Sequence, residues 1–361
     1  MDAMKFASRI IAWQRTHGRH QLPWQQTRDP YRVWLSEIML QQTQVSAVIP
    51  YYEKFLARFP DVATLANAPA GDVMAHWAGL GYYARARNLH ACAQSVMRDW
   101  HGQFPSRAED LESLPGIGRS TAGAIAAFCA GIRAPILDGN VRRVLSRHFA
   151  IDGDPTSAGT IARLWELAQS LLPSQAACRR DPNAMASYTQ GLMDLGACVC
   201  TRSAPNCIAC PLAGSCIARA DNRTHELPAP RARRAQPERE VGVLIAIHRG
   251  MFLLERRAPK GIWGGLWSLP EFEAELDAPT ACDEIGLVAA SIQPMASFSH
   301  TFTHFRLIIH PWLVHAQSLA AGGAQPVHRE WIDANALDRA GMPAPVRKLL
   351  SEVIAAGLVE P

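Results

Sequence analysis

Lysine is nearly absent from the middle of this chain: none occurs between Lys54 and Lys260, and almost all of the positive charge is arginine. A covalent imine needs an amine nucleophile, and this stretch offers no lysine to form one. Apolar runs approaching the roughly 20 residues that span a bilayer are also missing. The opening Met1-Asp2-Ala3-Met4-Lys5 lacks the apolar core of a secretory signal. A soluble cytoplasmic protein is the expectation, and in that reducing compartment nine cysteines argue for thiols and a metal rather than disulfides. With 361 residues, 48% of them hydrophobic, the chain is long enough for two domains. Its net charge of +4 is uneven: residues 1–225 carry 23 Lys+Arg against 17 Asp+Glu, and residues 226–361 carry 13 against 15. A polyanion would dock mainly on the first part.

Residues 1–225 read as successive helices, because apolar residues recur at spacings of three and four, as in Phe6, Ile10 and Trp13. Asp29-Pro30 starts one of them as cap and first helical residue. Within it, Glu37 is the only charged residue from Val33 to Tyr52, bordered by Val33, Leu40 and Val48. A carboxyl in such company should titrate high, as a general acid working near neutral pH requires. The alternative is a solvated glutamate, but solvated faces usually carry several charges. The uncharged run Gln41-Gln42-Thr43-Gln44 suits hydrogen bonding to base edges or insertion between them, although such runs are more often plain surface. In Gly79-Leu-Gly-Tyr82-Tyr-Ala-Arg85-Ala-Arg87, glycines free a turn, aromatics can stack on bases and arginines can reach phosphates.

Residues 111–141 organise the first part. Leu114-Pro115-Gly116-Ile117-Gly118 predicts a hairpin between two helices, since proline disfavours helix before it and glycine permits the turn. Free amides at the start of the second helix, near Ser120, form an anion site suited to a backbone phosphate. The chain then reaches Asp138 just before another helical pattern, where amides and the helix dipole should keep its carboxylate ionised. A plain N-cap role is the other reading.

Cys200-x6-Cys207-x2-Cys210-x5-Cys216 places four thiolates within one short loop. Either zinc or a 4Fe–4S cluster could sit there, and the single C-x2-C pair favours iron–sulfur. Cys198 could compete as a ligand, while Cys92, Cys129, Cys178 and Cys282 read as buried small apolar residues. Residues 226–240, rich in proline and charge, predict an extended linker. Beyond it, Val241–His248 and Met251–Arg257 predict two strands joined at Arg249-Gly250, Phe305–Val314 a third, and Leu349–Ile354 a closing helix. The second domain is therefore expected to be α+β.

Together these motifs resemble the helix-hairpin-helix DNA glycosylases with an iron–sulfur cluster, and within them the adenine DNA glycosylases. The resemblance covers nearly the whole chain. It is carried by Leu22-Pro23-Trp24, Trp34–Gln44, Gly79–Arg87, Leu114–Ala122, Ile136–Asn140 and the four cysteines. It implies a mainly α helix-hairpin-helix glycosylase domain with a 4Fe–4S module over residues 1–225. It also implies that Glu37 is the general acid and that Asp138 stabilises a cationic sugar. Gln42 and Tyr82 would enter the base stack, Gly116, Gly118 and Ser120 would hold DNA, and Trp24, Gln190 and Asp194 would form the base pocket. The cluster ligands would be Cys200, Cys207, Cys210 and Cys216, with Arg202 in a DNA-contacting loop.

Residues 241–361 resemble a Nudix (MutT-like) domain, but Pro279 and Thr280 stand where its catalytic Arg-Glu pair belongs. Recognition rather than phosphate hydrolysis is implied, with Phe302, Thr303 and His304 reading 8-oxoguanine. A nearby Phe298-Ser299-His300 is the other candidate loop. The expected partner is double-stranded DNA carrying an A:8-oxoguanine or A:G mismatch, bound by a monomer associated with the nucleoid. A bifunctional endonuclease III-like lyase would require lysine where Ser120 stands. A non-catalytic iron–sulfur DNA-binding protein would have no use for the Glu37 and Asp138 pair.

Overall fold

The computed structural model describes residues 3–230, 236–258, 261–302, 304–319 and 328–359. Of the linker expected over 226–240, residues 231–235 lie outside the described residues. The chain divides into two compact units, one of residues 1–67 and 88–233 and the other of residues 68–87 and 234–361. Residues 68–87, helical in sequence pattern, thus cluster with the sheet-bearing unit, and the division falls within a single helix, Ala84–Asp99.

Side-chain caps set four of the helix starts of the first part. Asp29, Asp138, Ser157 and Ser174 each accept a backbone N–H two or three residues on, satisfying donors that a helix start leaves without partners. The helices in order are α1 (Ala3–His17), α2 (Pro30–Leu40), α3 (Val45–Arg58), α4 (Val62–Asn67), α5 (Ala70–Trp77), α6 (Ala84–Asp99) and α7 (Ala108–Glu112). There follow α8 (Arg119–Ala130), α9 (Gly139–His148), α10 (Ala158–Ser170), α11 (Gln175–Arg180), α12 (Ala184–Asp194) and α13 (Ile217–Ala220). Phe6 and Ile10 of α1, Val144 and Leu145 of α9, and Tyr188 and Leu192 of α12 share one core. Each such buried side chain contributes about 1.5–3 kcal/mol. A Cβ on Gly191 would meet Ile10 Cγ2 at 2.7 Å and the Ile10 carbonyl at 3.1 Å, so α1 and α12 pack closely there. That contact brings Arg19, just past α1, to Asp194 at the end of α12. Among the described residues, no helix is long and apolar enough to cross a membrane.

The second unit is built on one mixed sheet. Its strands are β1 (Glu238–His248), β2 (Met251–Arg256), β3 (Trp267–Ser268), β4 (Glu271–Phe272), β5 (Leu287–Pro294), β6 (Phe298–Thr301), β7 (Arg306–Leu319) and β8 (Arg329–Asp333). The main order is β3-β2-β1-β7-β5. The expected β1–β2 hairpin turns at Arg249 and Gly250, with φ of 48° and 75°, as a tight two-residue hairpin loop requires. β1 and β7 run parallel, and the middle of β1 is buried throughout, as expected for a central parallel strand. Helix α14 (Ala278–Glu284) packs Ala278, Ala281 and Cys282 against the sheet, and α15 (Ala344–Ala355) closes the unit. The sequence pattern does not predict strands β3, β4, β5, β6 and β8. They are short, or half exposed as β5 is, and so lack the apolar alternation that marks a strand.

Candidate active site

A cavity of about 690 Å³ opens in the first unit, with Arg19, Trp24, Glu37, Ser187 and Gln190 among its lining residues. Glu37 comes from α2, whose start is fixed by Pro30 and by the Asp29 carboxylate accepting Tyr31 N–H at 3.0 Å. Its neighbours on α2, including Val33, Ser36 and Ile38, are buried. Glu37 itself is partly buried and lines the cavity. Burial raises its pKa to about 8, and the negative charge of Asp138 pushes the same way. Trp24 forms another wall, edge-on to Tyr52 at 5.3 Å between ring centres.

Asp138 caps α9, its Oδ1 accepting Val141 N–H at 2.7 Å. It does not line the cavity, but its charge reaches Glu37. Amides alone would hold this carboxyl low. Burial instead raises it, with the backbone amides of Val141 and Asn140 and the Arg143 charge pulling back. The cap is as the sequence indicates, whereas the opposing desolvation is a tertiary effect. Ser120, in the first turn of α8, accepts Leu137 N–H on its Oγ at 2.9 Å and so ties down the residue before Asp138. A Cβ on Gly123 would meet the Pro135 carbonyl at 2.4 Å, which explains why the small residues of α8 let this segment lie so close.

Asp194 stands behind the cavity wall. Fully buried, it accepts Arg19 N–H at 2.9 Å, Arg19 Nε–H at 2.7 Å and the Gln190 carboxamide at 2.9 Å. Arg19 and Gln190 line the cavity, so Asp194 positions lining groups and does not itself form the surface. Nothing in the sequence marks Arg19. A lone arginine carries no local signal of the distant carboxylate it meets.

In the helical hairpin, Gly116 has φ 77° and a Cβ there would meet Asn88 at 2.7 Å. Gly118 is extended, with open space where a Cβ would stand, and caps α8 without a side-chain partner. The first glycine is needed for the turn, whereas the second leaves the α8 amides approachable.

Beyond Asp194 a π-helical turn, Leu195–Val199, leads to Cys200. Cys200, Cys207, Cys210 and Cys216 all line one hollow of about 30 Å³. Cys198 is exposed and is not among the lining residues. Among the described residues, no three Cys, His, Asp or Glu side chains close into a set for a single ion. Burial pushes the Cys210 thiol up to about 11 and the Cys216 thiol upward as well, so thiolates there need compensating positive charge. Two arginines of α9 brace this loop. Arg143 donates to the carbonyls of Cys200 and Gly196, both at 2.7 Å. Arg147 donates to Thr201 O at 2.6 Å and lies 3.4 Å from Cys200 Sγ. The helix that Asp138 caps therefore also holds the cysteine loop.

Residues 35–170 match the HhH-GPD superfamily base excision DNA repair protein family, and residues 242–352 match the NUDIX domain. An adenine DNA glycosylase of Buchnera aphidicola subsp. Acyrthosiphon pisum is 34% identical over 345 residues, covering 96% of each chain. The Homo sapiens adenine DNA glycosylase is 32% identical, covering 90% of this chain and 69% of that protein. The chain belongs to the adenine DNA glycosylase family. A solved thermostable thymine-DNA glycosylase shares its fold at TM-score 0.53 and 29% identity, covering 61% of this chain and 97% of that one. An endonuclease III–DNA complex matches in fold at TM-score 0.50 and 17% identity, covering 62% of this chain and 98% of that one.

In this family member, two residues singled out for base-stack insertion hold strained backbones. Gln42, in the first unit, has φ 58°, and Tyr82, in the second, has φ 51°. Positive φ is uncommon for residues with side chains and gathers at functional sites. Tyr82 is 46% exposed. Arg85 places its guanidinium 5.4 Å from the Tyr82 ring centre. In the Nudix unit, Phe302 stacks on Phe305 at 4.7 Å and meets Trp263 at 5.6 Å. His304 is exposed, and Thr303 lies outside the described residues. Phe298, Ser299 and His300 sit within β6, paired to β7. Pro279 and Thr280 form the first turn of α14, where Asp277 caps the Thr280 amide.

Proposed function

We propose that this chain hydrolyses the N-glycosidic bond of adenine mispaired with 8-oxoguanine or guanine in duplex DNA. The observation that carries the reading is Glu37, titrating near 8 at the wall of a cavity of about 690 Å³ and sensing the charge of Asp138. A glycosidic bond inside a duplex is out of reach, so the adenine leaves the stack to enter the cavity. Neutral Glu37 gives its proton to N7 of the base, and the C1′–N9 bond breaks with its electron pair leaving on the base. The sugar approaches an oxocarbenium ion, which the Asp138 carboxylate stabilises electrostatically. Glu37, now ionised, takes a proton from the water that adds to C1′. Ser120 has no amine to form an imine, so the strand stays intact at the abasic site.

Duplex DNA is the partner that this family membership and the open α8 amides support. The four cysteines fit a 4Fe–4S cluster: they share one hollow, and Arg147 supplies positive charge beside Cys200. Such a cluster, held by Cys200, Cys207, Cys210 and Cys216, would supply structural cross-linking of the loop that carries Arg202. Phe302, Thr303 and His304 read the base opposite adenine, an aromatic wedging beside it while hydroxyl and imidazole hydrogen-bond it. The test is base release from duplexes with adenine opposite 8-oxoguanine, guanine or cytosine, followed by borohydride trapping. Release opposite the first two, with little trapped enzyme, is expected. Efficient trapping, or strand cleavage without added base, would overturn the hydrolytic reading.

A further inference from the structure

Among the described residues, three contacts fasten residues 68–87 to the rest of the Nudix-like sheet unit. A Cβ on Gly341 would meet Ala75 N and Cα at 3.0 Å, so backbone lies against backbone there. A Cβ on Gly71 would meet the Arg256 guanidinium at 3.0 Å. Arg87 Nη1 donates to the Gly264 carbonyl at 3.0 Å.

The third point differs from the others in what lies at its two ends. On one side, Arg87 N–H bonds the Tyr83 carbonyl at 3.2 Å and Arg85 N–H bonds the Tyr82 carbonyl at 2.8 Å. The start of α6 is thus continuous with the turn that presents Tyr82. On the other side, Gly264 follows Trp263, a buried bulky residue with φ 55°. A tryptophan in that region is strained and persists only where its surroundings over-determine it. The Trp263 ring is also the support behind His300 and Phe302, at 6.1 and 5.6 Å between ring centres. A continuous path therefore runs from Tyr82 through Arg87 and the strained turn to Phe302.

We propose that Arg87 is a positioning residue for opposite-base discrimination. It couples the Tyr82 turn to Phe302 so that insertion into the stack and reading of the opposite base occur as one event. The proposal rests on the reading that Phe302 contacts that base. A phosphate contact by Arg87 would act equally on every duplex, whereas a positioning role acts on the preference between duplexes.

The experiment measures single-turnover adenine release by the full chain from duplexes with adenine opposite 8-oxoguanine and opposite guanine. Arg87→Ala, Phe302→Ala and the double variant are compared. Each single change should lower the 8-oxoguanine-to-guanine rate ratio by about tenfold, the effect of misplacing roughly one good hydrogen bond to the oxidised base. The double variant should fall no further, because both changes break the same path. Arg87→Ala lowering both rates by one common factor, or a double variant losing the product of the single effects, overturns the coupling. Should Phe302→Ala retain the full ratio, the reading loop is misassigned and the coupling to it fails too. A ratio lowered by Phe302→Ala but not by Arg87→Ala leaves the reader intact and sinks only the coupling. Amide hydrogen exchange supplies a measure independent of turnover. Arg87→Ala should speed exchange over residues 261–268 while α8 stays as protected as in the parent, and unchanged exchange over 261–268 overturns the proposal.

Discussion

Ser120 Oγ and Leu137 N–H are joined at 2.9 Å, and through that bond the first turn of α8 holds the residue preceding Asp138. The hydroxyl thus has a job in the fold apart from any contact with DNA. Ser120→Ala leaves the part-buried Leu137 amide without its acceptor, at a cost of about 1 kcal/mol. Adenine release should slow by about tenfold as Asp138 loosens, while duplex affinity stays near the parent value. Ser120→Thr, which keeps a hydroxyl, should recover much of the rate. Equal kinetics for the alanine variant and the parent would show that the bond does not matter to the carboxylate.

Glu37 links activity and stability to pH in the same direction. Base release needs its proton, so the rate should fall as pH rises through about 8. Burial raises this carboxyl, so folding favours its protonated form. That stability is fully present below the unfolded-state value and is lost as pH climbs toward about 8. Glu37→Gln keeps the shape without the charge. It should abolish release yet gain stability relative to the parent as pH rises, by roughly 2–4 kcal/mol near pH 8. Thermal melts at a series of pH values check this, and a gap that does not widen with pH would refute the burial argument.

Asp194 fixes which end of the Gln190 carboxamide is free. Its carboxylate only accepts, so Gln190 donates one N–H to it at 2.9 Å, which fixes the flip of the carboxamide and leaves its carbonyl free to accept. A carbonyl there suits the 6-amino group of adenine and repels the 6-oxo group of hypoxanthine. Asp194→Asn replaces one acceptor with a donor among three N–H donors, and should destabilise the chain by about 3–5 kcal/mol. Whatever folded protein remains should discriminate less between adenine and hypoxanthine in single-turnover release. Undiminished discrimination would remove Gln190 orientation from the account of specificity.

Cys200 lines the cysteine hollow and Cys198 does not. Anaerobically purified parent protein should contain iron and sulfide near four per chain, the content of a 4Fe–4S cluster. Cys198→Ser should retain that content, whereas Cys200→Ser should lose it and melt at lower temperature. Stoichiometric zinc in the parent, with no iron, would point to the other metal.

Much of the site was legible in the chain itself where the governing physics is short-range. The Asp29 and Asp138 caps, the isolation of Glu37 within an apolar helix and the Arg249-Gly250 hairpin all depend on residues a few positions apart. The cysteine spacing belongs with them, since it limits which metal groups one loop can enclose. Only the tertiary structure decided the rest. Arg19 and Asp194 meet across 175 residues, and Ser120 supports a segment from the next loop. Arg143 and Arg147 brace the Cys200 loop from the helix that Asp138 caps, and residues 68–87 join the sheet unit rather than the helices around them in sequence. Even where the cap of Asp138 was visible, the rise of its carboxyl was not. Desolvation is set by which distant atoms displace water around a group, and no local spacing of residues encodes that.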